Sequence, residues 1–148
     1  MSMTSRRWSV LTRLRRHEES LALRELGERV RALEVSEDRV QTLELERLTL
    51  YAEVGERMES DQVAARLNEV VTRTDMLDRA LRSSRESLVK VRSAVVSARM
   101  HYDEKRGARR ALDLLVERQR RLEWQADARR ELKVMDEFAA RTHRRPLP

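Results

Sequence analysis

Apolar residues recur every seven positions between residues 67 and 102. Two interleaved series carry the pattern, and the positions between them are mostly Arg, Asp, Glu and Ser. The first series is Leu67, Thr74, Leu81, Leu88, Val95 and Tyr102, and the second is Val70, Leu77, Ser84, Val91 and Ala98. A strict seven-residue repeat places a narrow apolar seam along one side of a helix, and that seam is stable only against another helix. The pattern therefore predicts a coiled coil.

A second apolar stripe precedes this one and has the same helical spacing. It comprises Trp8, Leu11, Leu14 and Leu21, followed by Leu26, Val30, Leu33, Val40, Leu43, Leu50, Val54 and Met58, with Glu37 and Arg47 as polar interruptions. Its narrowness is typical of a two-stranded coil and not of a globular helix. We therefore predict that the first helix is the partner of the second.

The segment around residues 55–61 is the only credible reversal in the sequence. Gly55 can end a helix in the left-handed conformation, and Ser60 or Asp61 can cap the next one; Thr4 or Ser5 can cap the first. We predict an all-α antiparallel two-helix hairpin in one coiled-coil domain over residues 1–148. Its predicted parts are helix 1 at about 5–55, a turn at about 55–61, helix 2 at about 62–143 and a short tail at 144–148.

The two predicted helices have unequal lengths. With a reversal near residue 60, residue i faces about residue 120−i, so helix 1 ends opposite about residue 116 and about 27 helical residues extend roughly 40 Å further. This overhang carries its own apolar residues, which we call the overhang stripe: Trp124, Ala128, Leu132, Met135 and Ala139, with Phe138 beside them. Within a single hairpin the stripe has nothing to pack on, so we predict that it is a partner surface.

Composition supports a long helical protein and limits its chemistry. The chain has 148 residues, 39% charged and 3% aromatic, with no Cys and no Pro before Pro146, as expected of a coiled coil. The absence of Cys excludes disulfides and fits a reducing cytoplasm. No apolar window reaches the length of a membrane span and no secretory signal is recognisable. We expect a soluble intracellular protein without direct membrane insertion.

No enzyme or cofactor motif is present. The sequence lacks a glycine-rich phosphate loop and a nucleophile set, so we predict a protein without enzymatic activity and without a cofactor. His17, His101 and His143 share no helical face, which argues against a metal site.

Charge is unevenly distributed around a net of +6. Residues 1–33 carry eight Lys or Arg against four Asp or Glu, residues 34–62 three against nine, and residues 99–148 fourteen against nine. In a hairpin the basic clusters of both ends meet in one positive patch. A nucleic-acid-binding coiled coil is therefore one alternative, although acidic residues interrupt both clusters and nucleic acid is not the expected partner. A structural scaffold that dimerises through the overhang is a second alternative.

Three stretches resemble one family in the same order. The run from Lys133 to Arg141 (KVMDEFAAR), followed by an Arg/Pro tail, resembles the C-terminal signature of the FliJ family; residues 22–28 (ALRELGE) resemble its first helix and residues 77–81 (LDRAL) its second. The resemblance implies a stalk component of the flagellar type III export apparatus. It further implies an antiparallel coiled coil whose two termini enter the export ATPase hexamer and whose shaft reaches the export gate, a membrane protein. Export chaperones are further implied partners, and the implied location is the cytoplasmic face of the inner membrane at the flagellar base.

Two sets of site residues follow from combining the resemblance with the basic clusters and the overhang. The expected ATPase-binding residues are Arg13, Arg16, Arg106, Arg110, Trp124, Leu132, Met135 and Phe138. The resemblance places the gate contact at Leu77 and Ala80; one turn to either side this chain has Arg73 and Ser84, where a relative has an aromatic residue and a His. Leu77 is also a seam residue by its heptad position, so a purely structural role in the core is the alternative.

Overall fold

The fold is all-α. A computed structural model describes residues 3–57 and 63–144, which form the helices α1 (Met3–Arg57) and α2 (Val63–His143) and a turn at Arg144. Side-chain surroundings are described for residues 3–56 and 66–144. The predicted class is confirmed, because the two helices pair in antiparallel orientation as a coiled-coil hairpin. No helix in the described ranges is long and apolar enough to cross a membrane.

The chain divides into two compact units, and each contains segments of both helices. The central unit is Ser20–Glu104, and the terminal unit combines Met1–Glu19 with Lys105–Pro148.

The central unit contains the main apolar core. Val40, Leu81 and Leu88 are buried in one cluster, with Leu81 only 2% exposed, and Leu33 and Leu43 pack against it. Burial of each large aliphatic side chain contributes about 1.5–3 kcal/mol. This cluster therefore holds α1 against α2 along the predicted seam.

Ion pairs along the edges of the central unit establish the helix direction. Arg47 Nε lies 3.3 Å from Asp78 Oδ1, and Arg85 Nη2 lies 3.1 Å from Glu44 Oε1. Residue numbers therefore fall along α2 as they rise along α1, which is antiparallel pairing. Exposed pairs of this kind contribute at most about 1 kcal/mol each, so they align the helices while the apolar cluster stabilises them.

One seam position of α2 is polar. Ser84 lies between Leu81 and Leu88, is 8% exposed, and its hydroxyl oxygen accepts a hydrogen bond from Arg39 Nε at 3.4 Å. A buried polar group with a single well-placed partner favours one register over its neighbours. Within the described residues no buried side-chain polar atom is left without a hydrogen-bond partner.

The prediction that the N-terminal leucines of α1 belong to the buried seam is wrong. Leu11, Leu14 and Leu21 are exposed, although Trp8 is half-buried. The heptad register of Leu26 instead continues unchanged toward the N-terminus, so that the next inward positions are Ala22, Glu19 and residues before them. Turning Leu14 and Leu21 inward would require a local change in helix winding. The register is kept instead, because the polar residues that face inward here pair with charged residues of α2.

The C-terminal end of α1 also differs from the prediction. α1 continues through Gly55 to Arg57, and no described glycine has a positive φ. Gly55 is therefore not a left-handed cap. The predicted caps Ser60 and Asp61, and the reversal itself, lie outside the described residues.

The pairing of the helices also differs from the prediction. The 120−i relation places Arg47 opposite residue 73. The observed partner of Arg47 is Asp78, which lies five positions further along α2. Consistent with this shift, Ser5 in the first turns of α1 lines the same cavity as Gln119 and Glu123 of α2. Among the described residues, α1 therefore faces α2 as far as Glu123, and not only as far as about residue 116.

Candidate functional site

Charged residues occupy the inward face of the terminal unit. Glu18 accepts a hydrogen bond from Arg15 at 3.1 Å and lies 3.9 Å from Lys105 Nζ across the helix pair. Arg109 donates to Glu19 across the pair and to Asp113 at 2.8 Å along α2. The hydrogen bond to Glu19, followed by that to Asp113, raises the pKa of Arg109 above its usual value. The inward positions of this unit thus combine Leu112, which is buried, with an ion-pair network.

A second group of arginines in the terminal unit faces outward. Arg13, Arg16 and Arg120 line an open cavity of about 320 Å³ together with Trp8 of α1. The hydroxyls of Ser9 and Thr12, which also line the cavity, donate to the backbone carbonyls of Arg6 and Trp8. The guanidinium groups are therefore the strongest available donors at this cavity.

The structure brings together only part of the predicted basic set. Arg13 and Arg16 share the cavity, whereas Arg106 and Arg110 do not line it; Arg106 is half-buried and Arg110 is exposed. None of these four residues forms an ion pair within the described part of the chain. All four positive charges remain available to an acidic partner.

The large side chains of the overhang stripe are exposed. Trp124 is 72% exposed, Leu132 61%, Met135 66% and Phe138 69%. Ala128 is the only half-buried residue in the described chain beyond Arg120. The four large side chains, which recur at helical spacing, lie within a sector of about 120° of α2.

The overhang stripe does not continue the seam that packs on α1. After Val116 the first heptad series continues with Glu123 and Arg130, and after Leu112 the second continues with Gln119, Ala126 and Lys133. The intramolecular seam therefore becomes largely polar opposite the N-terminal turns of α1. The stripe begins at Trp124, the residue after the seam position Glu123, and one residue corresponds to a rotation of about 100° around the helix axis. The apolar face of α2 therefore changes direction near the N-terminal end of α1.

An additional apolar surface lies on α1 of the same unit. Val10 is 66% exposed and Leu14 49% exposed, four residues apart and therefore on one face. Sequence reasoning assigned Leu14 to the seam and missed this outer surface. The signal that could have found it is the strict heptad register read backward from Leu26, which places Leu14 on the opposite side of α1.

The two residues predicted for the gate contact lie together in the central unit. Leu77 and Ala80 are half-buried and line one open cavity of about 750 Å³. Residues of α1 line the other side of this cavity. Leu77 therefore has features of both alternatives given for it, because it contributes to the helix interface and is also accessible from one flank.

The titratable residues of the described ranges do not form a metal-binding cluster. No group of three His, Asp or Glu side chains there converges closely enough to hold a metal ion. Two carboxylates of the terminal unit, Glu19 and Asp113, are instead engaged by Arg109.

Comparison with known proteins identifies a family. The family model described as "Flagellar FliJ protein" matches residues 4–147. No curated protein and no solved structure matches the chain. The match covers both helices and nearly the whole length, and it agrees with the resemblance in residues 22–28, 77–81 and 133–141. The chain belongs to the flagellar FliJ family, a family of non-enzymatic components of the flagellar protein-export apparatus.

Proposed function

We propose that this chain is the central stalk of a flagellar type III export apparatus. In this role its terminal unit binds and stimulates the export ATPase hexamer, and its central unit contacts the export gate. The protein carries out no chemistry itself; it acts by contact. It works at the cytoplasmic face of the inner membrane, at the base of the flagellum.

The observation that carries the proposal is the change of apolar face at Trp124. The seam of α2 becomes largely polar opposite the N-terminal turns of α1, and an apolar stripe follows on another face with its large side chains 61–72% exposed. Exposed contiguous apolar surface on a soluble protein marks a binding site. Aromatic side chains in such a surface usually provide a large share of the binding energy.

Apolar side chains on both helices favour a partner that surrounds the terminal unit. The overhang stripe lies on α2, while Val10 and Leu14 lie on the outer face of α1. A flat partner could cover one of these surfaces. A ring with a central opening could cover both, which favours the ATPase hexamer over a scaffold partner.

The unpaired arginines supply the electrostatic part of the contact. Arg13 and Arg16 of α1 and Arg110 of α2 are exposed and lack ion partners in the described chain. Such groups increase the association rate with an acidic surface more than they increase the affinity. They also fit nucleic acid, but the neighbouring Arg109 and Arg121 are engaged by carboxylates, which lowers the positive field that a phosphate backbone requires.

The central unit supports the gate contact. Leu77 and Ala80 are accessible from one flank of the helix pair, so a partner can reach them without separating α1 from α2. Export chaperones are also proposed partners, on the basis of family membership.

Stimulation of ATP hydrolysis tests the proposal most directly. The purified cognate export ATPase should hydrolyse ATP faster when this chain is added, and a truncation at residue 121 should lose the effect while its remaining helices keep their thermal stability. An unchanged rate with the full-length chain would refute the stalk role. DNA binding with a steep salt dependence would instead support the nucleic-acid alternative, and self-association through the overhang would support the scaffold.

A further inference from the structure

The cavity at Leu77 and Ala80 is a groove built by both helices. Residues 42–53 of α1 line one side and residues 73–80 of α2 line the other. Leu50, which is 5% exposed, lies in its floor, while Leu45 of α1 and Met76 of α2 are exposed at 64% and 66%. The groove thus presents apolar side chains from both helices.

The charges of this groove are unbalanced. Glu46 and Glu53 line its α1 side, and Arg73 lines its α2 side. None of these three side chains forms an ion pair within the described residues. The two carboxylates are therefore free to pair with an incoming basic group, and the surrounding segment 34–62, with nine acidic against three basic residues, adds to the negative field.

The opposite flank of the same helix pair is different. There a second cavity is lined by Arg47, Asp78 and Arg85. Arg47 pairs with Asp78, and Arg85 pairs with Glu44. The other two charged residues of this cavity, Arg82 and Glu86, have opposite signs, so this flank has no excess of acidic side chains. The flank with Glu46 and Glu53 is therefore the one that combines an acidic excess with exposed Leu45 and Met76.

The size and direction of the groove suit a helix. Its α1 side, residues 42–53, covers about three helical turns, or roughly 18 Å. A third helix laid along the flank of a two-helix coil packs its apolar stripe into the groove between them, which is a common mode of helix recognition. Residues on the edges of that helix would then lie next to Glu46 and Glu53.

We infer that this groove is a docking site for a basic amphipathic helix. The inference deepens the gate contact proposed above, because it extends that contact from Leu77 and Ala80 on α2 to Leu45, Glu46 and Glu53 on α1. It also specifies the chemistry of the partner: leucine-like side chains on one face of a helix, with Lys or Arg on the flanks of that face.

Two matched synthetic helices test the chemistry. One is a fluorescent peptide of about 14 residues with the sequence LKKLLKLLKKLLKL, long enough for the groove, and the other replaces every Lys with Glu. The chain has a net charge of +6, so non-specific attraction would favour the Glu peptide. We expect fluorescence anisotropy to show tighter binding of the Lys peptide to the full-length chain, which only a local acidic site can produce.

Charge variants locate the site. Glu46→Lys with Glu53→Lys should weaken Lys-peptide binding about tenfold, since each of the two reversals removes an exposed attraction and adds a repulsion. Arg73→Glu should strengthen it about twofold to fivefold for the same reason. The control, Glu34→Lys with Asp38→Lys, makes the same charge change in the same acidic segment outside the groove and should bind the peptide nearly as well as the unchanged chain.

Function and folding are measured on the same variants. The Glu46→Lys/Glu53→Lys chain should keep its melting temperature and its stimulation of the ATPase but reduce swimming motility. Preferential binding of the Glu peptide, or equal loss of Lys-peptide binding in the control, would overturn the inference. So would self-association that competes with the peptide, because the occupant would then be a second copy of the chain. Failure of the unchanged chain to stimulate the ATPase would refute the stalk role alone, since peptide binding is measured without ATPase.

Discussion

Truncation of two residues in the overhang stripe separates binding from folding. Met135 is 66% exposed and Phe138 is 69% exposed, so about a third of each residue is covered in the free chain. Full burial of such a side chain contributes about 1.5–3 kcal/mol, and a third of that is about 0.5–1 kcal/mol. Alanine recovers up to about 0.7 kcal/mol because it has the highest helix propensity.

The double variant Met135→Ala with Phe138→Ala should therefore change the free energy of unfolding by no more than about 1 kcal/mol. For a chain of this length that shifts the melting temperature by about 2–4 °C. If the stripe anchors the ATPase contact, each side chain should contribute about 2 kcal/mol or more to binding. Loss of both side chains, about 4 kcal/mol if the contributions add, should then raise the concentration of chain that gives half-maximal stimulation of ATP hydrolysis by about 10²–10³-fold.

The assay is a titration of the cognate ATPase with each variant, accompanied by thermal unfolding followed by circular dichroism. The matched control is Leu115→Ala with Leu122→Ala, because these leucines are 53% and 52% exposed on the opposite face of α2. The control should stimulate normally. Early unfolding of the test variant would mean that the stripe packs within its own chain, and full stimulation by a folded test variant would mean that the ATPase does not bind there.

Three further predictions follow from the structure. Cysteines at positions 33 and 88 should crosslink within one chain, since Leu33 packs against the cluster that contains Leu88; crosslinks only between chains, seen as dimers on a non-reducing gel, would contradict the hairpin. Leu81→Ala should lower the free energy of unfolding by about 2–5 kcal/mol, measured by urea titration, because Leu81 is the most buried side chain described. Replacement of four arginines by glutamate should weaken the ATPase complex most at low salt and leave the helix content unchanged. If the variant binds the ATPase as tightly as the unchanged chain at every salt concentration, these residues are not in the interface. The four positions are Arg13, Arg16, Arg106 and Arg110.

The spacing of apolar residues was sufficient to predict the pair of helices. It was not sufficient to predict which residues face inward along the whole of α1. In the central unit the heptads are apolar, so Leu81 and Leu88 identified the buried side of α2 directly. Near the N-terminus the heptad positions are Thr12 and Glu19, whereas apolar Leu14 and Leu21 lie on another face. A prediction based on apolar residues therefore assigns these leucines to the seam. The inward face is identified only by the ion pairs with α2, such as Glu19 with Arg109.

The candidate site shows the same division. The overhang stripe was predictable because helical periodicity alone groups Trp124 with Met135, and its exposure followed from the unequal helix lengths. The groove at Glu46 and Glu53 was not predictable in the same way. It depends on which residues of α1 face Leu77. The observed pairs, such as Arg47 with Asp78, are offset from the 120−i relation, so the sequence alone predicted a different set of facing residues.

The exposed stripe beyond Glu123 also has a consequence for sequence divergence. Substitutions at Leu81 or Leu88 are constrained by folding, because any loss of volume in the buried cluster lowers stability. Substitutions at Trp124 or Phe138 touch almost nothing in the chain itself and are constrained only by the partner. The C-terminal segment of α2 therefore keeps its apolar side chains only as long as a partner requires them, which agrees with the family signature at residues 133–141. A chain that lost its partner should lose this stripe well before it lost its seam.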